Sequence, residues 1–507
     1  MARFAFILLI ALLACGDREH SSTINYFFTY DPRSLDPALS TDVPTGEVVA
    51  LLFDNVTQFD VDGVLQPGLA RSWDVDSAGD RYTFHLRSDA RFHDGRAVTA
   101  SDVRNSWLRT LRAGGRIWPL LPIRGARAYA ASESEEVEGI EVPNDTTVIV
   151  TLQEPLNVFP KFLAMPSTAI VPTPVPEGFD QKPVGSGPWR FVSWSHDDAI
   201  LLARNQDYWG KVPESDTLRI RIIPEPLTQA AEYEAGNLSV VEIPFGETRR
   251  WEEQHADELQ RRPALRVLYI AINTTRGPLQ DVRVRQALNY AIDAETILET
   301  VIGGRGVLSA GAIPPGLVGY DSTRAPYPHD PERAKQLLRE AGYSNGLVLQ
   351  LWRTQRAELA RVAQAVQQQL ARVGVVVEII ERDASSARAA STKGEADLFL
   401  TDWYADYPDP ETFQYATFHS RNRGTGGNRA FYSNPVTDSL IVLARTTTSE
   451  EYKAELSEQI DELIFEAAPW IFLWFPVDVW AQRPEVEGWR IPAIFNGQRW
   501  VDVKYSP

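Results

Sequence analysis

Apolar positions recur along the chain with two periods, and the change from one to the other marks where strands give way to helices. From Ile24 the pattern is strand-like until Asp31 and Pro32 turn it; Thr45 to Leu52 then fits a helix, and Tyr82 to Arg87 alternates as a half-buried strand. Thr99 or Ser101 caps a helix running through Trp107 and Leu108. Trp189 to Ser193, Ile200 to Ala203 and Leu218 to Ile223 read as further strands. Asp281 starts a helix whose Val284, Ala287, Leu288, Ala291 and Ile292 share one face, with Arg283, Arg285 and Gln286 directed outward. Asp330 and Pro331 open another helix, closed by Gly342.

A longer run follows. Leu347 to Leu351 is a strand; Leu359, Val362, Ala363, Val366, Leu370 and Val373 form a helical stripe ending at Gly374. Val375 to Ile380 is again a strand, Ser385 to Lys393 a small helix, and Asp397 to Thr401 a third strand. This order calls for a parallel sheet with right-handed crossovers, in which ligands sit beyond the carboxyl ends of the strands. The loop Asp402 to Pro410 lies at such an end. After it come a Gly- and Arg-rich surface loop, Ser420 to Asn428, and helices over Val436 to Arg445 and Ser449 to Glu466. A buried apolar strand, Ala467 to Phe475, is expected to lead back to the first domain.

The 507 residues suffice for several domains, and 44% hydrophobic with 23% charged residues is a globular composition. A net charge of −18 argues against nucleic acid as a partner, because phosphates would be repelled. Phe4 to Ala14 is uniformly apolar behind Arg3 and too short to span a bilayer, so it reads as an export signal. Leu12-Leu13-Ala14-Cys15-Gly16 resembles a bacterial lipobox, and Cys15 is the single cysteine of the chain. A lipid anchor on Cys15 is expected, with residues 16–23 as a polar tether and no intrachain disulfide. Gly16, in place of the Asp associated with inner-membrane retention, hints at the outer membrane.

The stretch Leu398 to Pro410 carries the candidate chemistry. Asp402, Asp406, Asp409 and Glu411 lie in or beside it, among Trp403, Tyr404 and Tyr407. Aromatic walls with a few carboxylates suit a ligand that is part apolar and part cationic. His93 beside Asp94 reads as a turn, since Asp-Gly is a turn dipeptide and no second histidine is near. The seven histidines show no zinc-like spacing, so no metal site and no cofactor are expected. Gly185 to Pro188 lacks the lysine of a phosphate loop, and its proline lacks an N–H that such a loop would use.

Several segments together resemble the solute-binding proteins of peptide ABC importers. They are Leu35-Asp36-Pro37, Pro67 to Ala70, Tyr82 to Arg87, Phe92 to Gly95, Asp102-Val103, Gly185 to Trp189, Asn205 to Gly210, Tyr233 to Gly236, Asn273, Asp281 to Asp293, Asp330 to Tyr343 and Leu398 to Pro410. The resemblance implies an α/β, two-lobed periplasmic-binding-protein type II fold with an additional subdomain, and a non-enzyme that closes over its ligand by hinge motion. Lobe I maps to residues 24–58, 183–272 and 476–507, the extra subdomain to 59–182, and lobe III to 273–475, behind a signal at 1–14 and a lipidated tether at 15–23. It implies a peptide ligand, permease subunits in the inner membrane as partners, a monomer, and a place on the periplasmic side of the cell envelope, membrane-anchored through Cys15.

By the same resemblance Asp406 pairs with the peptide's α-ammonium, Trp403 and Tyr404 wall the pocket, and main-chain groups around Tyr404 and Val43 take the ligand as an added strand. Leu400 departs from the oligopeptide binders, which carry an arginine there, so the partner of a peptide carboxylate is left unidentified. Other members bind oligosaccharides, opines, haem or nickel chelates. From the residues alone an exported hydrolase stays open, with Asp406 and either Asp409 or Glu411 as acid and base.

Overall fold

The computed structural model describes residues 22–424 and 427–506; the signal segment, Cys15 and most of its tether lie outside them. β-Branched and aromatic runs form three main sheets. Thr23–Phe28 pairs in parallel with Thr217–Ile222, and Ala199–Arg204 and Trp189–Ser195 extend that sheet antiparallel. A separate antiparallel sheet takes Ala70–Val75, Arg81–Leu86, Thr147–Thr151 and Ile140–Asn144 in that spatial order. Against it packs the helix Ala100–Ala113, capped by Thr99 in a reciprocal capping box with Asp102, with Trp107 fully buried.

The largest sheet holds the βαβαβ run. Its strands are β1 (Arg266–Ile272), β2 (Leu347–Thr354), β3 (Val375–Arg382), β4 (Leu398–Tyr404) and β5 (Trp470–Gln482), in the spatial order β5, β1, β4, β2, β3. β2 pairs in parallel with β3 on one side and β4 on the other, so the first strand of the run lies between the other two. The connecting helices cover opposite faces. Leu359, Val362, Val366 and Leu370 of the helix Ala357–Arg372 join the core of Leu349, Leu351 and Leu400. Ala387 and Ala390 of the helix Ala384–Thr392 join Trp352, Phe399 and Phe413. Chain order therefore reverses between β2 and β4, which opens a crevice at their carboxyl ends.

β5 is continuous over 13 residues. Its first half pairs with β1, and its second half with Leu259–Pro263 and Val240–Glu242. The apolar strand expected over Ala467 to Phe475 thus starts later, because Ala467 ends a helix and Ala468 turns with φ 47°, and it runs on to Gln482.

Three further sequence readings change. Asp402, Trp403 and Tyr404 belong to β4 rather than to a loop, because β1 pairs with them to the end, Arg266 opposite Tyr404 and Leu268 opposite Asp402. Arg285 points inward: its guanidinium donates to the carbonyls of Leu279, Gln280 and Ala467, satisfying helix-end acceptors that would otherwise be buried unpaired. In the loop Ser420 to Asn428, Asn428 is buried and donates to Phe418, His419 and Tyr432. Gly427 there presses on Trp403, where a Cβ would come within 2.7 Å of the indole.

Candidate functional site

Strand alternation divides the aromatic residues of β4 between two faces. Tyr404, 57% exposed, shares a face with Asp402, and its ring lies 4.6 Å beneath the Arg266 guanidinium. Trp403 faces the other way, packing with the core that includes Phe399 and donating from Nε1 to the Thr412 carbonyl at 2.8 Å. The two residues therefore do not wall one pocket. Leu400, on the Asp402 face but deeper, is fully buried among the helix residues behind it.

At the crevice the ends of β1, β2 and β4 bring charge together. Asp402 accepts from Arg266 Nη2 at 2.6 Å and from Arg356 Nη1 at 2.8 Å. Burial acts to raise the Asp402 pKa, but the two guanidiniums outweigh it and hold the carboxyl below its usual value. Arg356 follows β2 directly and also binds Glu358 through Nε at 2.9 Å. With Arg305, Glu242 and Asp478 these arginines line a cavity of about 310 Å³ that also touches Phe27 and Thr29 of the first sheet and the turn after it. Burial, with Asp478 adding to it, pushes the Glu242 carboxyl up to about 7.

The four acidic residues of the β4 region have different partners. Asp409 is 1% exposed and accepts from Lys161 at 2.6 Å and Lys453 at 2.5 Å. Glu411, also buried, pairs with Arg445 at 2.7 Å and receives the Tyr407 hydroxyl. Asp402 is held by its two arginines. Asp406 differs: its carboxylate is 46% exposed, and among the described residues its ion-pair partner is Arg116, whose Nη1 stands 3.5 Å from Oδ1. Burial by the cleft walls raises its pKa, and Arg116 opposes that only in part.

Arg116 also donates from Nη2 to the Thr41 carbonyl at 3.1 Å. Thr41 lies two residues before Val43, the exposed first residue of the helix Val43–Leu52. Val43 and Asp406, far apart in sequence, thus approach the same guanidinium. Val43 is helical, so its surroundings do not offer the free strand edge that an added ligand strand would need. The loop beneath Asp406 is pinned. Ala405 donates to the Leu265 carbonyl at 2.9 Å, and Tyr407 is buried against Phe162 and Trp118, with ring centroids 5.0 and 6.0 Å away.

His93 is a structural link: Gly185 N–H donates to Nδ1 and Nε2 donates to the Gly187 carbonyl, while burial pushes its pKa down to about 4. Among the described residues no group of three His, Cys, Asp or Glu side chains is placed to hold a metal ion. Sequence reasoning missed Arg116, Arg266 and Arg356. The switch-point rule that picked out the loop after β4 applies equally to the loop after β2, and would have found Arg356.

Residues 64–425 match the middle region of the bacterial extracellular solute-binding proteins, family 5. The chain belongs to this family. Among its relatives, heme-binding protein A of Haemophilus influenzae is 31% identical over 449 residues, covering 84% of this chain and 81% of the relative. The dipeptide-binding protein of Escherichia coli is 29% identical over 514 residues, covering 96% and 95%. Among solved structures, the ABC transporter-associated periplasmic binding protein DppA of Helicobacter pylori, in complex with the peptide STSA, superposes with a TM-score of 0.76 at 25% identity, over 96% of this chain and 98% of that one. Family 5 proteins are periplasmic or extracellular solute-binding components of ABC importers, and the fold here matches their peptide-binding structures.

Proposed function

We propose that this protein captures small peptides in the crevice at the ends of β2 and β4 and delivers them to the permease subunits of an ABC importer. The observation that carries this reading is the state of Asp406. It is the least compensated of the four carboxylates, half exposed beyond a topological switch point, where a ligand ammonium can reach it. Arg356 and Arg266, which line the neighbouring cavity and are held there by Asp402, supply the partner for a peptide carboxylate, the role for which Leu400 is too deeply buried. Tyr404 offers an exposed aromatic face beside them, and Val43 borders Asp406 through the Thr41–Arg116 contact.

Lobes at 24–58 with 183–272 and 476–507, and at 273–475, with a subdomain at 59–182, fit this reading, since the cavity is lined from both lobes. We propose that Cys15 carries the lipid that holds the protein to the periplasmic side of a membrane, acting there as a monomer without enzymatic activity. The hydrolase alternative finds no support, because Asp409 and Glu411 are buried and ion-paired and cannot reach a sugar bond. A haem ligand is the second reading, favoured by the Haemophilus influenzae relative. Native mass spectrometry of ligand carried through purification separates the two. Peptide masses support the proposal; haem or an oligosaccharide in their place overturns it.

A further inference from the structure

Two crossings of the chain join the lobes, and a third connection runs through the subdomain at 59–182. The crossings lie side by side: Leu259–Pro263 pairs with the second half of β5, and the Ala264 N–H donates to the Pro476 carbonyl at 2.8 Å. The third connection reaches lobe III without a covalent bond. Asn157 donates through Nδ2 to the carbonyls of Ala444 and Thr447 at 2.8 and 2.7 Å, and through its main-chain N–H to that of Arg445 at 2.9 Å, which closes the carboxyl end of the helix Pro435–Thr446. Lys161 donates to the Pro408 carbonyl at 2.9 Å as well as to Asp409 at 2.6 Å. Tyr407, in the loop after β4, is buried in the subdomain's own core with Tyr82, Phe159 and Phe162. Arg445 ties the two patches together, since its side chain pairs with Glu411, the acceptor of the Tyr407 hydroxyl.

The subdomain is bonded to lobe I over a longer front. Arg109 forks onto both oxygens of buried Asp36, Asn55 Nδ2 donates to the Leu163 and Met165 carbonyls, and Asn496 Nδ2 donates to the Ala164 carbonyl. A body bonded to both lobes lets them rotate only if the axis passes through one of its two seams. The seam with lobe I is too extended for that. The seam with lobe III is compact and centred on residues 157–162. Pulling it apart would take from buried Asp409 one of its two cations, so it has to hold as the lobes turn. A cavity of about 270 Å³ extends from Arg262, Pro263 and Leu265 at the crossings to Lys161, Asp409 and Lys453 at the seam, so both supports border one space in which side chains have room to shift. We infer that the seam at Asn157 and Lys161 is a second pivot of the lobe hinge. Lobe I and the subdomain turn as one body on lobe III, about a line from Ala264 to Lys161. Asp406, in the same loop as Asp409, stands beside that line and is displaced little as the cleft opens. This rests on the two-lobe reading above and not on what the ligand is.

Double electron–electron resonance tests this without a ligand. In the full chain carrying C15S, which removes the single native thiol, spin labels are placed at V192C with V348C, one on each lobe, and at V75C with V442C, on either side of the seam; all four valines are exposed. Displacement grows with distance from an axis, so the distance distribution between the lobes is expected to be at least about twice as wide as that across the seam. N157A combined with K161M is expected to widen the seam distribution about twofold, towards the width found between the lobes. Equal widths in the two parent pairs overturn the pivot. So does a lower melting temperature in N157A with K161M while both distributions stay unchanged, which assigns the seam to stability alone. If the double variant does not fold, N157A, which leaves both cations on Asp409, carries the same expectation at smaller amplitude, and the labelled parent still decides. Because no peptide is added, failure here leaves the peptide-capture reading standing.

Discussion

The ammonium of Lys161, in the helix Phe159–Phe162 that shares the core of the antiparallel sheet, lies 2.6 Å from the Asp409 carboxylate in the loop after β4, and Lys453 reaches the same oxygen. Two cations converging on one buried anion make Asp409 hard to replace. Asp409→Ala strands both ammoniums and is expected to cost about 3–5 kcal/mol of stability in urea denaturation, the range for removing one partner of a buried pair. Burial alone would raise the Asp409 pKa, but the two lysines outweigh it and depress it. Its contribution is thus present above the unfolded-state value near ~4 and lost as pH falls through the lower folded value. A variant whose urea midpoint matches the parent's at pH 7 would refute this.

Asp406→Asn keeps the shape of the anchor and removes its charge. Peptide affinity is expected to fall by about 2–5 kcal/mol in titration calorimetry, with little change in melting temperature because the pair with Arg116 is half exposed. A haem ligand, which has no ammonium, would bind this variant as it binds the parent.

Arg356→Gln examines the other end of the ligand. The loss should be about 1.5–3 kcal/mol for a peptide with a free C-terminal carboxylate, the worth of a hydrogen bond to a charged group, and much smaller for the same peptide amidated. Equal losses for both forms would assign Arg356 to holding Asp402 and Glu358 in place rather than to the ligand.

Glu47, in the helix that begins at Val43, gives the fold a pH dependence. Burial pushes its carboxyl up to about 8, and a hydrogen bond with Tyr26 opposes the shift only in part. The folded state therefore holds a proton that the unfolded chain releases near pH ~4.3, so stability declines as pH rises from there through about 8. Glu47→Gln, which cannot ionise, should gain in urea midpoint over the parent as pH is raised from 5 to 9. A difference between the two that does not change with pH would remove Glu47 as the cause.

The βαβαβ run was legible because stripe and alternation have different periods, and Leu359 to Leu370 against Val375 to Ile380 shows both within thirty residues. The end of β4 was not. Asp402, Trp403 and Tyr404 carry loop chemistry, and what keeps them extended is pairing with β1, more than 130 residues earlier in the chain. Arg285 was misjudged for a related reason: a charged residue reads as outward until the carbonyls awaiting it, one of them Ala467, are located in space. Asp406 could be picked from four carboxylates only through the family resemblance. The counter-ions that distinguish them, Arg116, Arg266, Lys161 and Lys453, come from separate parts of the chain and leave no local pattern.

The pinning of Ala405 and Tyr407 on either side of Asp406 bears on time as well as on affinity. A carboxylate mounted between a main-chain hydrogen bond and a buried aromatic ring has little freedom left to surrender when a ligand arrives. Capture at this end of the crevice then proceeds as encounter with a rigid fixture, at a rate set by diffusion and by the charge the ligand carries, and chemical differences among ligands are expressed in how long each one stays.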